Sequence, residues 1–383
     1  MRFGVGVLIT GLGLLGSAPA LAGEATVDLL SYNVWAVPYG ISPNIEARLQ
    51  AIATEIVGRG PDLVALQELW RTEDAEAVGA RLAEAGYQHH HFGPGSGGPD
   101  DEKGSGLFIA SRWPISEVSF EAFSAGHTPH IPWHVDWMAT KGVAAVRVQS
   151  PVGPLVVADT HLQATYLTGN YDFVQLAQAL SLSRRLHDLS QDEPLFLVGD
   201  LNASPRSLPV DVIIAQLGLV PAQPNYEIDH ILGRPGRHLG IELEQAASVL
   251  EEPVRYEGGE GPLSDHPCLV ARYRLFPCED CLEPASSPPV ALAQRIAAQL
   301  ESERHVSDIW VVAGRVSALV ILVTAALLYR RLGRERRLSA SAGSLLLFFT
   351  ALYLAYLGFY FAPARRAEID RAAASSAGLP GRR

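Results

Sequence analysis

The segment LFLVGDLN at residues 195–202 restricts the fold of this chain more than any other stretch. Four consecutive apolar residues between Pro194 and Gly199 are typical of a buried strand, and Asp200 and Asn202 follow at its carboxyl end. Residues two apart on an extended chain point to the same side, so both polar groups can converge beside the sheet. Asp and Asn also favour turns, so this pair alone also fits an ordinary strand exit.

Strand and helix patterns alternate through the first three quarters of the chain. Strands are predicted at VDLLSYNV, DLVALQEL, GLFIAS, GVAAVRV, LVVADTHL, LFLVGDLN, DHILG and PCLVARYRL, and helices at residues 44–57, 74–85 and 171–189. This mixture predicts an α/β fold in which sheets are flanked by helices.

Polar residues of catalytic types stand at the ends of these strands. They are Asn33, Glu68, His161, Asp200 with Asn202, Asp229, and Asp265 with His266. The motifs NVW, LQELW, THL, GDLN and SDH resemble, in order and spacing, those of the endonuclease/exonuclease/phosphatase superfamily, and the resemblance covers residues 27–275. It implies a four-layered α/β sandwich, deoxyribonuclease I-like, with two central mixed sheets and a metal-dependent phosphoester hydrolase site at one edge.

Within that superfamily the chain is most similar to the neutral sphingomyelinases. NVWAVPYG at residues 33–40 resembles their first motif, and HVDWMATKG at residues 134–142 resembles their DW…KG segment, with Trp137 and Lys141. The animal membrane-bound members also carry two C-terminal hydrophobic spans. The resemblance implies hydrolysis of sphingomyelin to ceramide and phosphocholine.

Each strand-end residue suits one task in phosphodiester hydrolysis. Glu68 and Asn33 offer an anionic and a neutral oxygen to Mg²⁺, with Mn²⁺ as an alternative, and we assign Asp265 to the same ligand set. His266 is the candidate general base and Asp229 its orienting acid.

Four further residues are assigned to the water and the phosphate. Asp200 is an alternative group for activating the water, and the sequence does not divide that task between Asp200 and His266. His161, Asn202 and Lys141 are candidate donors to phosphate oxygens. Taken singly, His161 also fits a satisfied histidine, and Lys141 a solvated residue at the start of a strand.

Other histidines have simpler interpretations. The run at residues 89–91 is predicted to be a rim segment and not a metal site. The loop with His127, His130 and His134 also holds Trp133 and Trp137, whose amphipathic rings suit a lipid interface; packing on the domain itself is the alternative.

Both ends of the chain carry apolar segments outside the catalytic domain. Residues 1–22 have the pattern of a signal peptide, residues 23–276 form the predicted catalytic domain, and residues 277–307 are a Pro-rich linker with an amphipathic segment. Transmembrane helices are predicted at 308–329, which contains Arg315, and at 342–362, which has no charge.

Charge around these segments predicts an exported domain. Residues 330–341 between the two spans hold five arginines, which the positive-inside rule places in the cytoplasm. The catalytic domain would then lie on the outer side, periplasmic or extracellular, in agreement with the signal peptide. The basic tail at residues 363–383 opposes this topology.

Composition separates the remaining functional classes. A net charge of −11 does not support an extended nucleic-acid surface, and the expected partner is a membrane lipid, with no protein partner predicted. The alternative is an exported metal-dependent nuclease using the same site; an inositol phosphate phosphatase or a silent binding module is a weaker third option. Three cysteines are too few for a complete structural zinc site, so CxxC at residues 278–281 predicts a local disulfide.

Overall fold

The computed structural model describes residues 23–93, 103–129, 131, 133–167, 171–223, 227–282, 290–331 and 341–377. The predicted signal peptide, His130 and most of the Arg-rich loop lie outside the described residues.

Fourteen strands form two large sheets and one small hairpin in the described part of the chain. They are β1 (Ala25–Ala36), β2 (Leu63–Arg71), β3 (His89–Phe92), β4 (Lys103–Ser111), β5 (Ile115–Ala122), β6 (Gly142–Ser150), β7 (Gly153–His161), β8 (Leu195–Asp200), β9 (Val220–Pro221), β10 (Asp229–Arg234), β11 (Leu239–Val249), β12 (Val254–Tyr256), β13 (Gly259–Gly261) and β14 (Cys268–Pro277). The first sheet has the order β11-β14-β1-β2-β4-β3, and the second has the order β5-β6-β7-β8-β10-β9.

The first four helices cover the outer faces of the two large sheets, and the last three follow the final strand. They are α1 (Ile45–Arg59), α2 (Thr72–Glu84), α3 (Asp172–Leu189), α4 (Leu208–Leu217), α5 (Val290–Arg331), α6 (Ser341–Tyr356) and α7 (Ala362–Ala377), with a π-helical turn at Leu357–Phe361 and a 3-10 turn at Val135–Met138. The predicted helices at 44–57, 74–85 and 171–189 match α1, α2 and α3 to within two residues at each end.

Three apolar cores separate four layers. One core lies between the sheets, where Leu29 and Ile109 of the first meet Val157 and Phe196 of the second. A second packs α1 and α2 on the first sheet, and a third packs α3 and α4 on the second. Strand β8 is wholly buried because it is covered on both faces. A strand in that position needs apolar side chains on both sides, which explains its continuous LFLV run. The predicted four-layered α/β sandwich is confirmed.

Strand direction brings the polar strand ends to one edge. In the first sheet β1 runs parallel to β2, so Asn33 pairs in register with Gln67, next to Glu68. In the second sheet β7 runs parallel to β8, which sets His161 opposite Asp200. Strand β10 is antiparallel to β8 and begins where β8 ends, so its first residue also pairs with Asp200.

Helix α5 joins the domain to an apolar helical pair. Its first turns bury Leu292, Ile296 and Leu300 in the core of α3 and α4, a spacing of four residues that places them on one face. Beyond Asp308 its apolar side chains are largely exposed, as are those of α6. Two helical stretches, Val290–Leu327 and Leu345–Ser376, are long and apolar enough to cross a membrane.

Two arginines after the predicted span at residues 342–362 are paired with acids of α5. Arg365 contacts Glu303 of α5 at 3.3 Å, and Arg366 contacts Asp308 at 2.8 Å. Helix α7 also returns to the domain, where Ile369 is buried in the same core as α3. These arginines therefore lie on the domain side of the apolar pair with their charges balanced.

Two smaller predictions concern cysteines and histidines. Cys278 and Cys281 form the predicted local disulfide, and Cys268 is a buried free thiol. The histidine run forms the edge strand β3, where the ring of His90 stacks on Phe108 at 5.7 Å. Among the described residues, the run is not part of a group able to hold a metal.

Asp159 provides a test of the packing between the sheets. It is fully buried, Gln67 donates to one of its oxygens at 2.7 Å, and the other oxygen has no partner among the described residues. Burial raises the pKa of Asp159 well above its ordinary value, so the folded chain binds a proton that the unfolded chain releases. Stability from this group therefore falls as pH rises above the ordinary carboxyl pKa.

We expect Asp159→Asn to raise the thermal unfolding midpoint at pH 8, because the amide keeps the acceptor oxygen and needs no proton. The gain should shrink toward pH 4, where the native carboxyl is already protonated. Asp188→Asn, at an exposed position on α3, is the control and should leave the unfolding midpoint unchanged at both pH 8 and pH 4. A gain that is the same at both pH values would contradict the assignment.

Candidate active site

The amide of Asn33 joins the two sheets at their shared edge. Its nitrogen donates to Glu68 Oε1 at 3.2 Å and to Asp200 Oδ2 at 3.1 Å. Asn33 and Asp200 are almost wholly buried. One amide thus holds a carboxylate from each sheet within a few ångströms of the other.

Local backbone distortions aim these side chains. Trp35, Glu68 and Asn202 have φ values of 48°, 59° and 47°, in the left-handed region that residues with a Cβ rarely occupy. Register shifts accompany them, after Asn33 in the β1–β2 pair and after Leu66 in the β2–β4 pair. Such strain persists where surrounding structure enforces it, and it clusters at functional sites.

His266 and Asp229 form a pair beside this cluster. The Nδ1 atom of His266 lies 2.9 Å from Asp229 Oδ2, and its Nε2 atom lies 3.8 Å from Asp200 Oδ2. Ser264 holds the loop in place, because its hydroxyl donates to the Asn33 carbonyl at 2.6 Å and accepts from the His266 amide at 3.2 Å. The free ring nitrogen of His266 therefore faces the acidic cluster.

Burial and charge shift the titration of both partners. Burial, followed by the nearby charge of Asp229, raises the pKa of Asp200 to about 7. Burial favours the neutral ring of His266, but the hydrogen bond and charge of Asp229 outweigh it and raise the pKa of His266 to about 9. Burial also raises the pKa of Glu68. Packed carboxylates without a cation thus favour protons at this site.

His161 is the buried neutral member of the cluster. Its Nε2 atom lies 3.4 Å from Asp200 Oδ2 and 4.0 Å from Glu68 Oε1. Burial lowers the pKa of His161 well below its ordinary value. A neutral imidazole held this way can donate one hydrogen bond without carrying a charge.

Asn202 and Lys141 meet at one carbonyl next to the cluster. The Asn202 side chain donates to the Leu162 carbonyl at 3.1 Å, and Lys141 Nζ donates to the same oxygen at 2.6 Å. Lys141 also pairs with Asp136 at 3.0 Å. Both predicted phosphate donors thus bond to the carbonyl of Leu162, the residue after His161, and the ammonium is already held by two oxygens.

Two predicted metal ligands are oriented differently from the rest. Asp265 is exposed, and one of its oxygens lies 3.4 Å from the Ser264 hydroxyl. The Asn33 oxygen accepts from the Trp35 amide at 3.0 Å, so the nitrogen, not the oxygen, points at the carboxylates. Ligation through that oxygen would require the amide to turn over.

The donor set fits a hard cation. Glu68 Oε2 is buried and has no hydrogen-bond partner among the described residues, and Asp200, Asp229 and His266 place ligand atoms within 4.8 Å of one another. Asp200 therefore belongs both to the cluster with Asn33 and Glu68 and to the group with Asp229 and His266. Carboxylate oxygens of this kind are the ligands that Mg²⁺ and Mn²⁺ prefer.

Arg48 was missed by sequence reasoning. This arginine of α1 is buried and donates to the carbonyls of Val34, Trp35, Pro43 and Leu263 at 2.6–3.0 Å. It therefore ties the chain after Asn33 to the loop that carries His266. The only sequence signal is an arginine on the apolar face of a predicted helix.

The chain belongs to the endonuclease/exonuclease/phosphatase family, whose model matches residues 30–266. A Drosophila melanogaster protein described as a candidate neutral sphingomyelinase is 29% identical, over 69% of this chain and 63% of the relative. Human sphingomyelin phosphodiesterase 2 is 27% identical, over 47% of this chain and 42% of its own length. The chain spans less than two thirds of the length of both relatives.

Solved structures share the fold. Sphingomyelinase C from Streptomyces griseocarneus superposes with a TM-score of 0.51 at 22% identity, covering 65% of this chain and 99% of that one. A Staphylococcus aureus beta toxin variant with bound magnesium ions superposes with a TM-score of 0.50 at 18% identity, covering 64% and 99%.

Replacing Arg48 with lysine tests the tie between the two loops. A lysine cannot serve four carbonyls in one plane, so we expect at least one buried acceptor to lose its partner, at a cost of about 1–3 kcal/mol in unfolding free energy. Thermal or urea unfolding measures that loss. Arg59→Lys, at the partly exposed end of the same helix, is the control and should change stability by less than about 0.5 kcal/mol. Equal effects of the two substitutions would exclude the bracing role.

Proposed function

We propose that this chain is a metal-dependent phosphodiesterase that hydrolyses sphingomyelin to ceramide and phosphocholine. The observation that carries the proposal is the buried cluster of Asn33, Glu68 and Asp200, faced at 3.8 Å by the paired His266. The names of the relatives favour a sphingolipid substrate over a nucleic acid.

Glu68 and Asp200 are the residues that would hold Mg²⁺ or Mn²⁺, with Asp265 and Asn33 as further predicted ligands. When bound, the ion withdraws charge from the phosphate and stabilises the charge that develops on the leaving oxygen. A cation bound beside Asp200 would offset the acidic surroundings that raise the pKa of His266, and Nε2 of His266 would then be able to accept a proton.

Residues of the chain divide the remaining work. His266, oriented by Asp229, takes the proton from the attacking water; Asp200 is the alternative base only in an arrangement in which Asp200 is not a ligand of the ion. His161, neutral and buried, donates to a phosphate oxygen, and Asn202 supplies a second donor. Lys141 contributes a compact positive charge beside them once it exchanges Asp136 for phosphate.

Membrane attachment supports a lipid substrate. The two apolar helical stretches would cross the bilayer as a hairpin, with residues 330–341 in the cytoplasm and the catalytic domain on the outer, periplasmic or extracellular, side. Arg365 and Arg366, two of the five arginines of the tail, pair with acids of α5, although the arginine count of the tail still opposes this topology. A tethered domain meets membrane lipid at a high effective concentration.

Substrate choice is tested with the purified full chain in nonionic detergent. With Mg²⁺ present, we expect phosphocholine release from sphingomyelin, complete loss of release in EDTA, and no nicking of plasmid DNA. Phosphatidylcholine offered in parallel reports the discrimination between lipid backbones. Cleavage of DNA alone would retain the site and replace the substrate with a nucleic acid.

The role of His266 is tested by its removal. His266→Ala should lower the rate of phosphocholine release by about 100-fold or more, because proton transfer to a positioned side chain contributes on this scale. His187→Ala, an exposed position on α3, is the matched control and should retain full activity. An active His266 variant with a normal unfolding midpoint would transfer the base role to Asp200.

A further inference from the structure

A cavity of about 470 Å³ lies where the catalytic domain meets the apolar helices. Its walls come from the start of α3, from the middle of α5, and from α6, the π-helical turn and the first residues of α7. We call it the neck cavity and define it by Asp172, Glu303, Trp310, Tyr353, Phe361 and Arg365. None of these residues belongs to the catalytic cluster.

The neck cavity lies at the level where polar surface changes to apolar surface. On its domain side are ion pairs, including Arg366 with Asp308 at 2.8 Å. On its other side begins the exposed apolar surface of α5, where Ile309 is 51% and Val312 is 63% exposed. In the proposed membrane topology this level is the interface that lipid headgroups occupy.

Aromatic rings and carboxylates line the neck cavity together. Trp310, Tyr353 and Phe361 supply three rings, and Asp172 and Glu303 supply two negative charges. Rings of this kind attract cations through their negative faces, most strongly for Trp and for quaternary ammonium groups. The rings and the acids therefore favour the same kind of ligand.

The single cation of the neck cavity does not reverse this preference. Arg365 is 9% exposed, contacts Glu303 at 3.3 Å and Glu368 at 3.9 Å, and lies 4.1 Å from the centre of the Phe173 ring. Its charge is thus balanced by two carboxylates of the protein. Among the described residues that line the neck cavity, two acids, Asp172 and Glu303, accompany this one cation, which disfavours an anionic headgroup.

We propose that the neck cavity binds the choline headgroup of an intact membrane phospholipid, at a second lipid site separate from the active site. The trimethylammonium group enters among the three rings, and the acyl chains lie along the exposed apolar face of α5. The proposal rests on the proposed membrane attachment. It gives the junction a role of its own, which is to hold a choline lipid beside the domain that hydrolyses one.

The neck cavity also has a structural link to the domain. Asp172 follows Tyr171, whose hydroxyl lies 2.9 Å from His134 Nδ1, and the ring of His134 stacks on Tyr166 at 4.1 Å. Tyr166 in turn accepts a hydrogen bond from the Asp136 amide at 3.2 Å. The neck cavity is thus connected, through Tyr171 and His134, to the loop that carries Asp136, the partner of Lys141.

The experiment counts lipids retained by the full chain in nonionic detergent, by native mass spectrometry. Dihexanoyl phosphatidylcholine and dihexanoyl phosphatidylglycerol are titrated separately, without metal and in a His266→Ala background, so that the lipid is not consumed. We expect phosphatidylcholine to be retained in preference to phosphatidylglycerol. Equal retention of the two lipids would overturn the proposal.

Two variants and one control locate the site. Trp310→Leu keeps an apolar side chain but removes the ring, and we expect the affinity for phosphatidylcholine to fall about tenfold. Asp172→Asn should reduce the ratio of phosphatidylcholine retained to phosphatidylglycerol retained. Trp113→Leu, a partly buried tryptophan beside the core between the sheets, should change neither value. Unchanged affinity in Trp310→Leu, with an unfolding midpoint equal to that of the parent, would place the bound lipid elsewhere.

Failure of this proposal differs from failure of the proposed function. If the unmodified chain hydrolyses sphingomyelin but lipid retention does not depend on Trp310, the proposed enzymatic function stands and the neck site is excluded. If retention depends on Trp310 but the chain releases no phosphocholine, the neck site stands and the proposed enzymatic function is excluded.

Discussion

The hydrogen bonds of the Asn33 amide are the contact on which the rest of the site depends. Each large sheet delivers one carboxylate, Glu68 from the first and Asp200 from the second, and the Asn33 nitrogen lies 3.2 Å and 3.1 Å from them. Because both sheets are packed on helices outside and on each other inside, neither carboxylate can withdraw to water. The fold thus maintains a concentration of negative charge that solvent would otherwise disperse.

That charge explains the electrostatics of the neighbouring groups. Burial raises the pKa of Glu68 and takes that of Asp200 to about 7, while the acids around His266 raise its pKa to about 9. All three shifts have the same sense, since each lowers the negative charge of the site. A divalent cation would neutralise the site without protonating these groups, so the packing of the sheets suits the proposed metal-dependent hydrolysis.

The C-terminal helices α5 and α7 pack directly on the catalytic domain. Leu292, Ile296 and Leu300 bury one face of α5 in the domain core, and α7 returns to that core through Ile369. The domain is therefore held at both ends of the apolar pair. In the proposed membrane topology this packing sets the distance and orientation of the domain relative to the bilayer, and residues from both attachments line the neck cavity.

Most residues of the site could be predicted from short sequence motifs, because each of them lies at the end of a strand that a local pattern identifies. Eight of the fourteen strands, three of the four helices that cover the sheets, and the residues Asn33, Glu68, His161, Asp200, Asp229 and His266 could be predicted from pattern and resemblance. So could the two apolar stretches, since length and the absence of charge suffice to identify them. Strand alternation with helices also indicated the layered architecture.

Tertiary structure decided whatever depends on contacts between distant segments. Arg48 and Leu263 are 215 residues apart, and no local pattern announces a buried arginine that braces two loops. The orientation of the Asn33 amide, the exposure of Asp265 and the pairing of Lys141 with Asp136 likewise depend on which backbone groups are nearby in space. Sequence by itself determined which chemical groups are present and at which strand ends, whereas packing determined their direction and protonation, because hydrogen bonding and desolvation are properties of neighbours in space.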